Sequence, residues 1–137
     1  MTVRFADTNV LLYAISRDAG ERSKAERAAA VLADGDIALS AQVLQEFYVQ
    51  ATRATRPDRL THEQAAGLVE SFLRFPVAAI DSTLVLAALA TARRFQISYW
   101  DAAIVEAARV LGCTELLSED LAAGQDYGGV TVSDPFA

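Results

Sequence analysis

A single cysteine, Cys113, leaves the chain unable to form an internal disulfide, so a reducing cytoplasmic setting is the expectation. Cys113 itself, beside Gly112 at the end of a helical pattern, reads as a small buried residue. No apolar run approaches the ~20 residues needed to span a bilayer, and Met1-Thr2-Val3-Arg4 lacks the pattern of a signal peptide, so no membrane role is expected. Histidine is as scarce: His62 stands alone, and no Cys/His spacing resembles a zinc site. No glycine-rich loop matches a phosphate-binding fingerprint, and Gly128-Gly129 reads as a turn. A nucleophile elbow of the Gly-x-Ser-x-Gly type is also missing. Repeats, low-complexity runs and long linkers are absent. Positive charge is in short supply, with a net charge of -6, which counts against nucleic-acid binding through phosphate contacts alone. It does not exclude a nuclease whose own acids hold a metal. The basic residues are almost all arginine, with Lys24 the single lysine, and arginine suits bidentate phosphate contacts.

What the chain has is apolar residues in a regular order. A hydrophobic fraction of 53% over 137 residues is ample for one packed domain spanning 1–137. Strands are expected at Val3 to Ala6, Ile37 to Leu39, Val77 to Ile80, Thr114 to Leu117 and Val130 to Val132. Helices are expected at Asn9 to Ile15, Glu21 to Leu32, Ala41 to about Ala54, Thr61 to Leu73, Thr83 to Phe95 and Tyr99 to Leu111. Ser40, Asp81 or Ser82, and Ser98 are the expected caps, and Thr61-His62-Glu63-Gln64 fits a capping box. This alternation predicts an α/β fold with a mostly parallel sheet covered on both faces. On the last helix Trp100, Ile104, Ala108 and Leu111 fall at helical spacing, which favours a core position for Trp100 over a stacking platform.

Four carboxylates fall where such a fold brings them together. Asp7 follows the first strand, Asp120 follows Glu115-Leu116-Leu117, and Asp101 opens a helix whose start faces the same sheet edge. Glu46 borders the apolar stripe of Val43, Leu44, Phe47, Tyr48 and Ala51, from which it can reach that edge. Four converging carboxylates stay ionised only with a cation among them, and a divalent metal is the natural candidate. Each acid also has a plainer role: Asp7 as an N-cap, Asp101 as the return partner of the Ser98 cap, Glu46 as a solvated helix residue, and Asp120 as part of an ordinary helix start. Independent caps, however, have no reason to gather at one sheet edge.

The residues that carry this pattern also carry a resemblance. Ala6-Asp7-Thr8-Asn9-Val10-Leu11, Gln45-Glu46-Phe47-Tyr48, Ser98-Tyr99-Trp100-Asp101-Ala102, Leu117-Ser118-Glu119-Asp120-Leu121 and the tail Gly124 to Val130 occur in order across essentially the whole chain. Together they resemble the PIN-domain endoribonucleases, and specifically the VapC-type toxins of VapBC toxin–antitoxin pairs. The resemblance implies a PIN-like three-layer α/β/α fold and an acidic pocket of Asp7, Glu46, Asp101 and Asp120 binding Mg2+ or Mn2+. Asp7 and Asp101 match the most direct metal ligands. Glu46 and Asp120 are assigned to the metal or to positioning the attacking water. Thr8, Asn9 and Ser118 match positions that orient carboxylates or water. Variation around Asp120, with Glu119 adjacent, leaves that transfer the least secure. The resemblance further implies RNA as substrate, a cognate antitoxin as inhibitor and a homodimer.

Other functions compete. A phosphoryl-transfer domain of response-regulator or haloacid-phosphatase type needs a lysine late in the sheet, whereas Lys24 lies early. A PIN-fold nuclease of RNA processing, outside any toxin–antitoxin pair, and a non-catalytic module binding RNA or a partner both stay open. The clusters Arg53, Arg56, Arg59 and Arg93, Arg94 read as solvated surface, with contact to RNA or antitoxin as the alternative. Leu84, Leu86 and Leu89 suit either a dimer surface or the core.

Overall fold

The computed structural model describes residues 2–137. Five short strands form one sheet in the order β3-β2-β1-β4-β5, every pairing parallel. They are β1 (Arg4–Ala6), β2 (Ile37–Ser40), β3 (Val77–Ala78), β4 (Glu115–Leu117) and β5 (Thr131–Ser133). Phe5, Ile37, Leu39, Leu116 and Leu117 are fully or almost fully buried, as expected of parallel strands covered on both faces. Among the described residues six α-helices intervene: α1 (Thr8–Ala14), α2 (Arg22–Ala33), α3 (Ala41–Ala51), α4 (His62–Phe72), α5 (Ser82–Phe95) and α6 (Tyr99–Val110). The chain steps outward from β1 to β2 to β3, then jumps back to β4. Right-handed crossovers therefore place α1 to α4 on one face and the α5–α6 pair on the other. The sheet is wholly parallel rather than mostly so, and the three-layer expectation holds.

Side-chain chemistry starts the helices where the sequence suggests. The Ser40, Asp81 and Ser98 side chains accept the N–H of Val43, Leu84 and Asp101. Asp81, not Ser82, is the cap of α5. At α4 the box is reciprocal: Thr61 Oγ1 accepts from Gln64 N at 3.1 Å and Gln64 Oε1 accepts from Thr61 N at 2.9 Å. The last turn before β4 runs through Gly112 at φ 75, a left-handed position suited to glycine.

Several expectations need correction. α3 ends at Ala51, short of Ala54, where Thr52 Oγ1 bonds Tyr48 O at 2.8 Å and Leu60 N returns to Ala51 O at 2.8 Å. β3 is two residues long instead of four, and β5 lies one residue later than expected. Trp100 is not core: it stands 66% exposed in the first turn of α6. Leu84 is buried, whereas Leu86 and Leu89 are exposed. α6 meets α5 through the small residues Ala88, Ala102 and Ala103. Cys113 is buried, and burial pushes its thiol upward.

Candidate active site

The chain reverses its direction of travel across the sheet at β1, with β2 on one side and β4 on the other. This switch point opens a crevice beyond the strands' carboxyl ends, the usual ligand position in open parallel sheets. Asp7 occupies it. Its N–H donates to Leu117 O at 3.0 Å, which fixes the residue beside the end of β4. One carboxylate oxygen, Oδ1, accepts from Thr8 N at 2.7 Å and so caps α1. The other, Oδ2, accepts from Ser118 Oγ at 2.9 Å. Asp7 thus serves as an N-cap and also faces the site. It is 8% exposed, and burial lifts its pKa from 3.8 to about 6. The bonds from Thr8 and Ser118 oppose that rise, while the charges of Asp120 and Glu46 add to it.

Those two charges show that Asp7, Glu46 and Asp120 share one electrostatic neighbourhood. Each has its own donors. Glu46 accepts from Thr8 Oγ1 at 3.1 Å and from Gln42 Nε2 at 2.8 Å. Asp120 accepts from Asn9 Nδ2 at 2.8 Å. Ser118 Oγ also takes weak bonds from Asp120 N at 3.2 Å and Leu121 N at 3.3 Å, so it shapes the turn after β4 as well as orienting Asp7. Thr8, Asn9 and Ser118 therefore stand in contact with the acids they were expected to orient.

Asp101 enters from the other face of the sheet. Its N–H is capped by Ser98 Oγ at 3.1 Å, but its carboxylate forms no return bond to the cap, unlike Gln64 in α4. The plain capping-box role is therefore not the one its carboxylate takes. Gln42 links this turn to the rest: the Nε2 that bonds Glu46 also lies 3.3 Å from Trp100 O. The charge of Asp101 reaches the buried Tyr127 phenol, which burial first and Asp101 second push upward. The charges that weigh most on Asp7 are those of Asp120 and Glu46, not that of Asp101. Among the described residues, no three Asp, Glu, His or Cys side chains converge closely enough to enclose an ion as placed. The acids instead turn to their separate donors, which is what like charges do when hydrogen bonds are within reach.

Glu119 is excluded from the group by its own partners. Its oxygens take Tyr13 Oη at 2.5 Å and Lys24 Nζ at 2.8 Å, and Lys24 also donates to Tyr13. These bonds hold the Glu119 carboxyl below its usual range. With Glu119 tied to α1 and α2, Asp120 is the acid turned toward Asn9. A small cleft of about 160 Å³ adjoins this edge, lined by Asn9, Leu12, Tyr13, Glu21 and Arg56. Arg56 is paired with Asp58 at 2.9 Å, while Arg53 and Arg59 are exposed.

Sequence reasoning missed Gln42, Lys24, Tyr13 and Tyr127. Gln42 precedes Glu46 by four residues, a spacing that places both on one helix face and was a usable signal. The Lys24–Glu119 contact joins residues 95 apart, which no local pattern encodes.

The sequence model of the PIN domain matches residues 4–123. A toxin–antitoxin complex from Klebsiella pneumoniae is similar in structure at TM-score 0.69 and 20% identity, over 98% of this chain and 98% of that one. The DNA-bound VapBC of Salmonella typhimurium is similar at TM-score 0.66 and 20% identity, over 98% and 99%. VapC20 of Mycobacterium tuberculosis, described as a sarcin–ricin-loop-cleaving toxin, is similar at TM-score 0.65 and 19% identity, over 85% and 91%. At these identities the likeness establishes the fold. No curated relative matches the sequence. On the match across residues 4–123, the chain belongs to the PIN-domain family.

Proposed function

We propose that this protein is a metal-dependent endoribonuclease, the toxin of a toxin–antitoxin pair, cutting RNA with Asp7, Glu46, Asp101 and Asp120. The observation that carries the reading is Asp7: a buried carboxylate at the switch point, hydrogen-bonded on both oxygens and lifted to about 6 beside two further acids. A buried acid at that value costs stability when ionised, and a cation among Asp7, Glu46 and Asp120 would remove the cost. The donors are all hard oxygens, which fit Mg2+ or Mn2+ and not a thiolate- or imidazole-bound metal. Asp7 and Asp101 would hold it, with Glu46 and Asp120 as further ligands. Bound there, it would supply Lewis-acid stabilisation of a phosphodiester's developing charge and make water a better nucleophile.

The chain's own residues do the rest. Ser118 and Thr8 N fix the Asp7 carboxylate in the crevice, and Gln42 and Thr8 Oγ1 fix Glu46. Where it is not held by the metal, the carboxylate of Glu46 or Asp120 would position the attacking water. Asn9 aims Asp120 across the same edge. The toxin role rests on similarity to solved toxin–antitoxin assemblies, which also supports a cognate antitoxin as partner. Leu86 and Leu89, exposed on α5, offer an apolar face for a second copy in a homodimer. Among the described residues no helix is long and apolar enough to cross a membrane.

The test is incubation of purified, partner-free protein with total cellular RNA, with and without Mg2+ or Mn2+, alongside Asp7→Asn. Discrete metal-dependent fragments that are missing with the variant support the proposal. Equal cleavage by the variant refutes the assignment of Asp7. No cleavage together with no metal binding would favour a non-catalytic binding module, and cleavage without toxicity on expression would favour an RNA-processing nuclease.

A further inference from the structure

Trp100 is the only tryptophan in the chain and stands 66% exposed. Its place is specific. It precedes Asp101 in the first turn of α6. Its carbonyl shares one nitrogen, Gln42 Nε2, with Glu46 Oε1, at 3.3 and 2.8 Å. Helical side chains lean toward the helix N-terminus, which here is the edge of the sheet where the acids stand. Tyr99 meets the indole edge-on, with ring centroids 5.1 Å apart at 82°. That contact orients the ring while leaving most of it open to solvent.

We infer that Trp100 is a stacking platform for an unpaired RNA base next to the bond that is cut. The inference rests on the nuclease reading and names the contact by which that site holds its substrate. Electrostatics explain why such a contact is needed. The chain carries a net charge of -6, so beyond a cation held by the acids themselves the protein offers a phosphate backbone little general attraction. Several arginines are committed elsewhere: Arg4 to Asp34 and Glu115, Arg56 to Asp58, and Arg109 to Glu106. Stacking on a neutral indole needs no such attraction and is tolerant of base identity. It also selects single-stranded or loop RNA, because a paired base offers no free face.

As the sole tryptophan, Trp100 reports on itself by fluorescence. The experiment titrates the Asp7→Asn protein in chelator, so that metal-dependent cleavage is suppressed, with a short single-stranded oligoadenylate and with the same backbone lacking its bases. Quenching by the oligoadenylate and not by the abasic strand is the expected result. Equal quenching by both, or none by either, overturns the inference. A concentration-dependent shift of the emission without RNA, reversed on dilution, would show the indole covered by a second copy and would also overturn it. Kinetics supply the second arm. Trp100→Ala should raise KM roughly 5- to 150-fold, the span of a base–aromatic stack, with kcat little changed, and Trp100→Phe should recover most of the loss. If the wild type cuts RNA and Trp100→Ala leaves KM unchanged, this inference fails while the nuclease reading stands. If nothing cuts RNA, the nuclease reading fails and the quenching experiment decides the stack independently.

Discussion

Replacing Asp7 with asparagine should stabilise the metal-free protein near pH 7. The Asp7 carboxyl has a folded pKa of about 6 against 3.8 when unperturbed, and burial is the main cause. A group whose folded pKa is raised contributes stability that is fully present below the unfolded pKa and lost as pH rises through the folded one. Here the loss begins near pH 4 and is complete a little above pH 6. Its size follows from the shift, at about 3 kcal/mol. Asparagine keeps the bond from Thr8 N but must present an N–H to Ser118 Oγ, which already accepts from two backbone groups. That mismatch costs about 1 kcal/mol, leaving a net gain of roughly 2 kcal/mol. For 137 residues this corresponds to a rise in Tm of about 7 °C. Thermal unfolding of both proteins from pH 3.5 to 8 in chelator is the assay. At the acid end, where the wild-type carboxyl is neutral and only the mismatch is left, the variant should be less stable by about 1 kcal/mol; the difference should change sign as pH rises and reach its plateau by pH 7. With Mn2+ in excess the order should reverse, because only the wild type gains from binding. A variant less stable than the wild type in chelator at pH 7, or a difference that does not change with pH, would refute the reasoning.

Four further outcomes follow from particular contacts. Ser118→Ala removes the donor to Asp7 Oδ2 and should cost about 1–3 kcal/mol; it should also raise the Asp7 pKa further, moving the acid limb of the cleavage pH profile to higher pH. Gln42→Ala should weaken Mn2+ binding about 10- to 100-fold, as loss of a ligand's supporting bond does, read by calorimetry. Lys24→Met should lower cleavage by freeing Glu119 beside Asp120, yet change stability by less than about 1 kcal/mol because the pair is part-exposed, as urea unfolding will show. Asp81→Ala should cost about 1 kcal/mol through loss of the α5 cap, with metal binding unaffected.

Much of this molecule was readable in its sequence because its signals are local. Ser40, Thr61 and Ser98 announce helix starts with their own side chains, and Gly112 announces a stop. The buried strands read as short apolar runs, and their alternation with helices limits the topology to a parallel sheet. The placement of Asp7 and Asp120 at one sheet edge was legible because strand ends define the crevice. What was not legible depends on layers meeting across the chain. Helical spacing shows that Trp100 and Ile104 share a stripe but not where along it the cover ends, so Ile104 is buried and Trp100 is not. The same spacing could not divide buried Leu84 from exposed Leu86 and Leu89. That Glu119 is tied up while the adjacent Asp120 is not depends on Lys24 and Tyr13, contributed from helices far away in sequence.

The proposed cation site draws on four acids from separate elements. Titrating Mn2+ into the wild type, Asp7→Asn, Asp101→Asn and Glu119→Gln, with free Mn2+ followed by electron paramagnetic resonance, tests it most directly. Binding should be retained by the wild type and Glu119→Gln, and lost or strongly weakened in Asp7→Asn and Asp101→Asn. Undiminished binding in both of those variants would contradict the proposed site.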